Sequence, residues 1–141
     1  MLYIDTRKGC STIYYSLFHL KKHFNNFDSN KLTWNEEQQS QFIESLLLRF
    51  PIQPFYFQEQ PRPPLYSIAD GLQRLLTIDR FYRGQLSLRG PLLNAEWIGR
   101  KFEDLPAQFQ NIFEDYILTI YFINPATPQE IVNEIIRRIK N

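Results

Sequence analysis

The residues best suited to chemistry follow a predicted strand and open a predicted helix: Asp70-Gly71-Leu72-Gln73-Arg74. The first N–H groups of a helix and the positive end of its dipole attract anions. On a helical wheel Arg74 falls off the apolar stripe, where its guanidinium can bind a phosphate with two hydrogen bonds. Gly71 would let a ligand come close to the backbone. The pattern is therefore compatible with a phosphate-binding site.

Asp70 suits such a site only together with a cation or a water molecule, because a carboxylate and a phosphate repel each other. A divalent metal between them would remove the repulsion, and a carboxylate can also orient an attacking water. The chain lacks the G-x-x-x-x-G-K sequence of a full phosphate-binding loop. The five-residue segment alone therefore carries the hypothesis.

A structural role explains the same residues without a ligand. Asp70 is a good helix N-cap, and Gln73 lies three residues later, so the pair would form a capping box. Loss of such a cap costs about 1 kcal/mol of stability. The sequence leaves both interpretations open.

Length and composition exclude several classes of protein. The 141 residues suffice for one domain, and 43% hydrophobic with 22% charged residues is typical of a soluble globular protein. A single cysteine, Cys10, excludes an internal disulfide and favours a reducing compartment. No apolar run reaches the roughly 20 residues that span a bilayer, and the N-terminus has no signal-peptide core. We therefore expect a cytoplasmic protein with no membrane partner.

Basic charge is concentrated in the middle of the chain. Residues 61–101 carry seven Lys or Arg, six of them Arg, against three Asp or Glu, while the whole chain has a net charge of +1. This distribution suits one phosphate-bearing ligand better than a long polyanion, which usually needs a broad basic face. Ordinary solvation of the surface explains these arginines equally well.

Periodicity, capping residues and helix breakers predict an α+β protein. The predicted helices cover residues 11–24, 35–50, 70–83, 105–113 and 127 onward. The predicted strands are a short one near Leu32, then Phe55–Phe57, Leu65–Ala69 and Tyr116–Ile123, the middle two forming a hairpin. We expect a small mixed β-sheet with helices packed on it, in one domain over residues 1–141 with residues 1–30 as an N-terminal helical extension.

An ordered series of segments resembles one domain family. The segments are Trp34 with Gln41-Phe-Ile-Glu44-Ser-Leu-Leu, then Phe50-Pro-Ile-Gln-Pro54, Tyr66-Ser-Ile-Ala-Asp70-Gly-Leu-Gln-Arg74-Leu-Leu-Thr77, Phe102-Glu-Asp-Leu-Pro106, and Glu134-Ile-Ile-Arg-Arg138-Ile. They are similar to the N-terminal domain of GmrSD-type, modification-dependent restriction enzymes, whose hallmark reads D-G-Q-Q-R. The resemblance covers about residues 30–141. It implies a ParB-like and sulfiredoxin-like fold, in which the phosphates of a nucleotide lie at the start of the motif helix.

The resemblance also implies an activity, namely nucleoside-triphosphate binding with Mg²⁺ and hydrolysis that licenses or regulates DNA cleavage in defence against phage. The implied catalytic residues are Asp70, Gln73 and Arg74, with Asp70 also holding the metal. The implied nucleotide-binding residues are Gly71, Leu72, Lys31 and Arg80. In this assignment Gly71 and Leu72 offer amides to the phosphates, Gln73 orients the substrate, Arg74 stabilises the transition-state charge, and Lys31 and Arg80 add outer charge.

The chain departs from the family pattern at three places. Leu72 replaces the first Gln of the hallmark, and Lys31 is the only cation where the family has a Gln-Arg pair before Trp34. The terminal pattern F-x-R-[IV]-N-x-G is here Ile136-Arg-Arg138-Ile-Lys140-Asn141, and the sequence stops there. Relatives continue into further helices and often a His-containing nuclease domain, so we expect that this chain does not cut DNA by itself and reaches DNA through a nuclease partner or a missing C-terminal region.

Two further alternatives stay open. One is a catalytically degenerate module with the same fold that binds DNA or a protein, which the departures at Leu72 and before Trp34 favour. The other is a fragment whose aromatic surface normally packs on absent downstream helices, for which a homodimer is the expected assembly.

Overall fold

The computed structural model describes residues 10–23, 28–62 and 66–140. Within these ranges the strands are β1 (Cys10–Ser16), β2 (Phe55–Glu59), β3 (Tyr66–Asp70) and β4 (Ile117–Ile123). The helices are α1 (Leu17–His23), α2 (Glu36–Leu47), α3 (Leu72–Tyr82), α4 (Ala107–Asp115) and α5 (Gln129–Lys140). Short 3₁₀ turns occupy Ser29–Lys31, Ala95–Trp97 and Phe102–Asp104. The predicted α+β class is confirmed.

The chain divides into two compact units. The sheet unit comprises the described residues of Met1–Tyr14, Pro54–Gly71 and Leu118–Asn141. The helical unit comprises the described residues of Tyr15–Gln53 and Leu72–Ile117. That these units form one domain over residues 1–141 stays a prediction.

The sheet has the strand order β1-β4-β2-β3. β2 runs antiparallel to β3, as the predicted hairpin requires, and parallel to β4, so the sheet is mixed. Successive side chains of a strand point to opposite faces. Phe55 and Phe57 are accordingly buried, whereas Tyr56 between them is half-buried. α5 packs against β3 and buries Val132.

The helical unit is built around α2, which packs against α3 and α4, while α1 packs against α4. Its buried apolar side chains are Leu17, Leu20, Phe42, Ile43, Leu46, Leu47, Leu75, Leu76, Ile78, Phe81, Leu86, Leu88, Trp97, Leu105 and Phe113. Phe81 meets the Phe113 ring edge-on at 5.3 Å, and Tyr82 stacks on Phe102 at 4.9 Å. Burial and a hydrogen bond to Glu114 raise the pKa of Tyr82 to about 12.

The boundaries of α2 are set by local capping motifs at both ends. Asn35 caps its first turn and forms the predicted capping box with Gln38. The helix ends at Leu47, earlier than the predicted stop before Pro51, because a Schellman motif closes it: Arg49 N–H binds the Leu46 carbonyl and Phe50 N–H binds the Ser45 carbonyl. Arg49 has a φ of 59°, the left-handed conformation that favours glycine.

Two other predicted elements are wrong. Residues 11–16 lie in β1 rather than in a helix, and only α1 continues the predicted helical stretch. The run Thr12-Ile13-Tyr14-Tyr15 has the β-branched and aromatic composition of a strand, which outweighs the helical spacing of the apolar residues. No strand forms near Leu32: that residue follows a 3₁₀ turn, and the next N–H groups bind a side chain instead of a neighbouring strand.

None of the helices in the described ranges combines the length and the apolar character that a bilayer-spanning helix requires.

Candidate functional site

The Asp70–Arg74 segment occupies the predicted strand-to-helix junction. β3 ends at Asp70, α3 begins at Leu72, and Gly71 joins them with a φ of +110°. Residues with a Cβ rarely adopt this backbone conformation. The turn itself therefore requires glycine at position 71, whether or not a ligand approaches it.

The predicted capping box between Asp70 and Gln73 is wrong. The predicted box requires Asp70 as the cap and Gln73 as the third helical residue. In the structure α3 begins at Leu72, so Gln73 is the second helical residue. The Gln73 carboxamide is moreover committed to a distant segment. Its oxygen accepts hydrogen bonds from the N–H groups of Thr33 (2.7 Å) and Trp34 (3.2 Å), and its nitrogen donates to the Lys31 carbonyl (2.9 Å).

Gln73 thus fixes the segment that leads into α2. In the described part of the chain the N–H groups of Thr33 and Trp34 bind the Gln73 side chain, which also binds the Lys31 carbonyl at the end of the 3₁₀ turn. Lys31 is exposed, and it is its main-chain carbonyl that meets Gln73. The structure therefore brings two predicted site residues together, through the backbone of one and the side chain of the other.

Arg74 is half-buried and donates a hydrogen bond from Nη1 to the Gln53 carbonyl. Gln53 lies in the connector between α2 and β2, so the guanidinium holds this connector against the first turn of α3. A guanidinium carries five N–H donors in a planar fork, and the bond to Gln53 uses one of them.

Arg80, one helical turn and a half beyond the motif, belongs to a polar network. Its Nη1 donates to Gln39 Oε1 (2.6 Å) and its Nη2 lies 3.7 Å from Glu36 Oε1. Gln39 is buried and donates in turn to the Trp34 carbonyl (2.7 Å). The Trp34 backbone is therefore held on both sides, by Gln73 at its N–H and by Gln39 at its carbonyl.

Asp70 faces a different set of neighbours within the sheet unit. It lies opposite Tyr56 of β2, whose partner in β4 is Tyr121, so the three residues form one row across the sheet. The two tyrosine rings stack with centroids 5.2 Å apart. The ammonium of Lys140, in the last turn of α5, lies 3.7 Å from Asp70 Oδ1.

The donor set at Asp70 limits the kind of metal site that fits. Among the described residues no group of three or more His, Cys, Asp or Glu side chains is placed to hold a metal ion. Mg²⁺ is commonly bound by one or two carboxylates, with phosphates and waters completing its octahedron. Asp70 therefore fits a Mg²⁺ ion that arrives with a nucleotide, and the described residues do not fit a metal held by protein ligands alone.

Two polar residues inside the buried face of α2, Ser40 and Glu44, have structural roles that were not predicted. Ser40 Oγ accepts a hydrogen bond from Arg89 N–H (2.8 Å). The Glu44 carboxylate, 5% exposed, accepts one from Leu93 N–H (2.9 Å) and one from Asn94 N–H (2.8 Å). Polar residues that interrupt an apolar helical stripe were the available signal. They hold the loop after α3 onto α2.

A groove of about 770 Å³ opens elsewhere in the helical unit, between α4 and the end of α2. Its lining residues are Arg49, Gln108, Phe109, Asn111, Ile112, Asp115, Tyr116 and Ile117. None of the predicted site residues is among them.

Comparison with known proteins identifies a family. The family model described as "GmrSD restriction endonuclease, N-terminal domain" matches residues 31–140, which include the whole Asp70–Arg74 segment. No curated protein and no solved structure matches the chain.

Proposed function

The chain belongs to the family of GmrSD restriction endonuclease N-terminal domains and is thus a restriction-system component, and we propose that it binds a nucleoside triphosphate at the junction of β3 and α3. Hydrolysis of that nucleotide would regulate DNA cleavage by a nuclease partner in defence against phage. The relation to the ParB-like and sulfiredoxin-like fold stays a prediction.

The observation that carries the proposal is the junction itself. Gly71 has a positive φ between a strand and a helix, and the amides that follow it open α3. Such a turn exposes backbone N–H groups to an anion, and the helix dipole favours negative charge at the same place. Leu72 contributes to this site through its amide, so the loss of the family's polar side chain leaves the backbone contact available.

Asp70 and Arg74 supply the charges that this chemistry needs. Arg74 would stabilise negative charge on the phosphoryl oxygens, and Asp70 would orient the attacking water or hold Mg²⁺. When bound, the Mg²⁺ ion would neutralise part of the charge of the phosphates. Gln73 would position Arg74, because its bonds fix the first turn of α3 to the segment Lys31–Trp34. Lys31 and Arg80 would contribute charge at a greater distance.

Calorimetry with a panel of nucleoside triphosphates and Mg²⁺ tests the proposal. We expect one nucleotide bound per chain, and a loss of about tenfold or more in affinity for Arg74→Ala, since a charged bidentate contact is removed. Arg83→Ala is the matched control, because Arg83 is an exposed arginine of the same segment that pairs with Asp79. It is expected to bind like the wild type.

The folded state of each variant is checked by circular dichroism, and Arg74→Lys serves as a second variant that keeps the charge. A folded wild-type protein that binds none of the triphosphates would refute the proposal.

A second candidate function is a non-catalytic module that binds DNA or a protein. It is favoured by the engagement of the predicted cations within the fold: Arg74 with the Gln53 carbonyl, and Arg80 with Gln39 and Glu36. This candidate predicts binding to duplex DNA that weakens steeply between about 50 and about 200 mM salt and is unchanged by Arg74→Ala. Fluorescence anisotropy with a labelled duplex distinguishes the two functions.

A further inference from the structure

Lys140 gives Asp70 a cationic neighbour from a different element. The Lys140 Nζ lies 3.7 Å from Asp70 Oδ1, and the side chains are 64% and 17% exposed, respectively. The contact joins the last turn of α5 to the last residue of β3, two elements that pack together in the sheet unit. It places a positive charge beside the carboxylate of the proposed nucleotide site.

The two arginines near the end of α5 form ion pairs within the helix, unlike Lys140. Arg137 and Arg138 both bind Glu134 on the same helix, at 2.6 and 2.8 Å. Those pairs follow the three- and four-residue spacing of neighbours on a helix surface. Lys140 instead reaches across to β3, so its contact depends on the packing of α5 and not on the spacing of charges within it.

A lysine in this position removes the repulsion between Asp70 and a polyphosphate. An ammonium has three donors on a flexible stem, and it can bind a carboxylate and a phosphate at the same time. Because the Lys140 side chain is mostly exposed, it can turn toward a ligand without breaking buried contacts. A divalent cation between carboxylate and phosphate would have the same electrostatic effect.

We propose, on the basis of the nucleotide site proposed above, that Lys140 is a phosphate-binding residue that offsets the charge of Asp70 when no divalent metal is bound there. The chain then binds nucleoside triphosphate in the absence of Mg²⁺, with Lys140 bridging the carboxylate and the phosphates. Removal of Lys140 makes nucleotide binding depend on Mg²⁺.

Calorimetry with ATP, or with the best ligand of the triphosphate panel, is performed in EDTA and in Mg²⁺. The wild type is expected to bind in EDTA with an affinity within about tenfold of that in Mg²⁺. Lys140→Met, which keeps an apolar stem and removes the charge, is expected to lose about tenfold or more in EDTA and to recover in Mg²⁺. Lys140→Arg is expected to keep metal-free binding.

Arg138→Ala is the control, because it removes one positive charge from the same turn of α5 without touching Asp70. It is expected to behave like the wild type in both buffers. Wild-type binding that requires Mg²⁺ would overturn the proposal, and so would unchanged binding of Lys140→Met in EDTA or an equal loss in both buffers. Absence of wild-type binding in either buffer would instead refute the nucleotide site itself.

Discussion

At the scale of the residue, the side chains of Gln73 and Glu44 bind the backbone of distant segments. Gln73 binds three main-chain groups of Lys31–Trp34, and Glu44 binds two main-chain N–H groups of the loop after α3. A buried or half-buried N–H that loses its partner carries the full penalty of desolvation. Such residues resemble catalytic groups in a sequence, yet their partners lie within the chain.

Glu44→Ala is expected to lower the free energy of unfolding by about 3 kcal/mol, because two N–H groups lose a charged acceptor in a buried setting. Glu44→Gln keeps one acceptor oxygen and is expected to lose about half as much. Urea unfolding followed by circular dichroism measures both. Glu37→Ala, at an exposed position of the same helix, is the control and is expected to change stability by less than about 1 kcal/mol.

Gln73→Ala is expected to lower the free energy of unfolding by about 2 kcal/mol, since three hydrogen bonds of partly exposed groups are lost. Gln73→Glu keeps the acceptor for Thr33 and Trp34 and is expected to lose about 1 kcal/mol. The exposed Gln108→Ala on α4 provides the comparison. Equal stability of Gln73→Ala and Gln108→Ala would show that the bonds to Lys31–Trp34 contribute nothing.

At the scale of the element, α2 and α3 end in the same way with different residues. Both close with a Schellman motif, in which the left-handed position is Arg49 (φ 59°) in one case and Gly84 (φ 73°) in the other. The left-handed conformation is unfavourable for a residue with a Cβ. Arg49 also lines the groove beside α4, so the strained residue is one whose side chain faces open space.

Exchange of residue types at these two positions should move stability in opposite directions. Arg49→Gly is expected to stabilise the protein by about 0.5 to 1 kcal/mol, and Gly84→Ala to destabilise it by about 1 kcal/mol. A Cβ at position 84 would meet only Glu103 Oε1 at 3.8 Å, an ordinary contact, so the change reports on the backbone alone. Thermal unfolding compares the variants, and stabilisation by Gly84→Ala would contradict the argument.

The ion pairs of α5 make the stability of the folded chain depend on pH. Hydrogen bonds from Arg137 and then Arg138 lower the pKa of Glu134 from its ordinary value of 4.5 to about 2. Because the pKa is lowered in the folded state, the contribution of Glu134 to folding stability is present above about pH 4.5 and is lost as the pH falls toward 2. An NMR titration of the side-chain carboxyl is expected to show the low midpoint, and Arg138→Gln is expected to raise it. A wild-type midpoint near 4.5 would exclude the ion pairs in solution.

At the scale of the whole molecule, a ligand that binds only the folded chain must stabilise it. At a free concentration of about 100 Kd the stabilisation is about 2.7 kcal/mol, which for a domain of this size raises Tm by roughly 6 to 10 °C. Differential scanning fluorimetry with increasing nucleotide concentration measures the shift. Arg74→Ala is expected to show a much smaller shift at the same concentration, and a wild-type Tm independent of nucleotide would count against the proposed function.

Features that depend on near neighbours could be predicted from the order of residues alone. The capping box of Asn35 and Gln38, the hairpin of β2 and β3, the stop of α3 near Gly84 and the α+β class follow from contacts within a few residues or from alternating burial. The ordered series of segments over about residues 30–141 also indicated the family, which the family model over residues 31–140 confirms.

The contacts of the site residues could not be predicted in this way, because they depend on the folding of distant segments. Gln73 binds groups about forty residues away, and Asp70 contacts Lys140, which lies next to the last residue of the sequence. A local pattern had assigned Asp70 and Gln73 to one capping box, because both residue types favour that motif. A carboxamide forms the bonds that the packed backbone leaves unsatisfied, and those groups are fixed only when distant segments have come together.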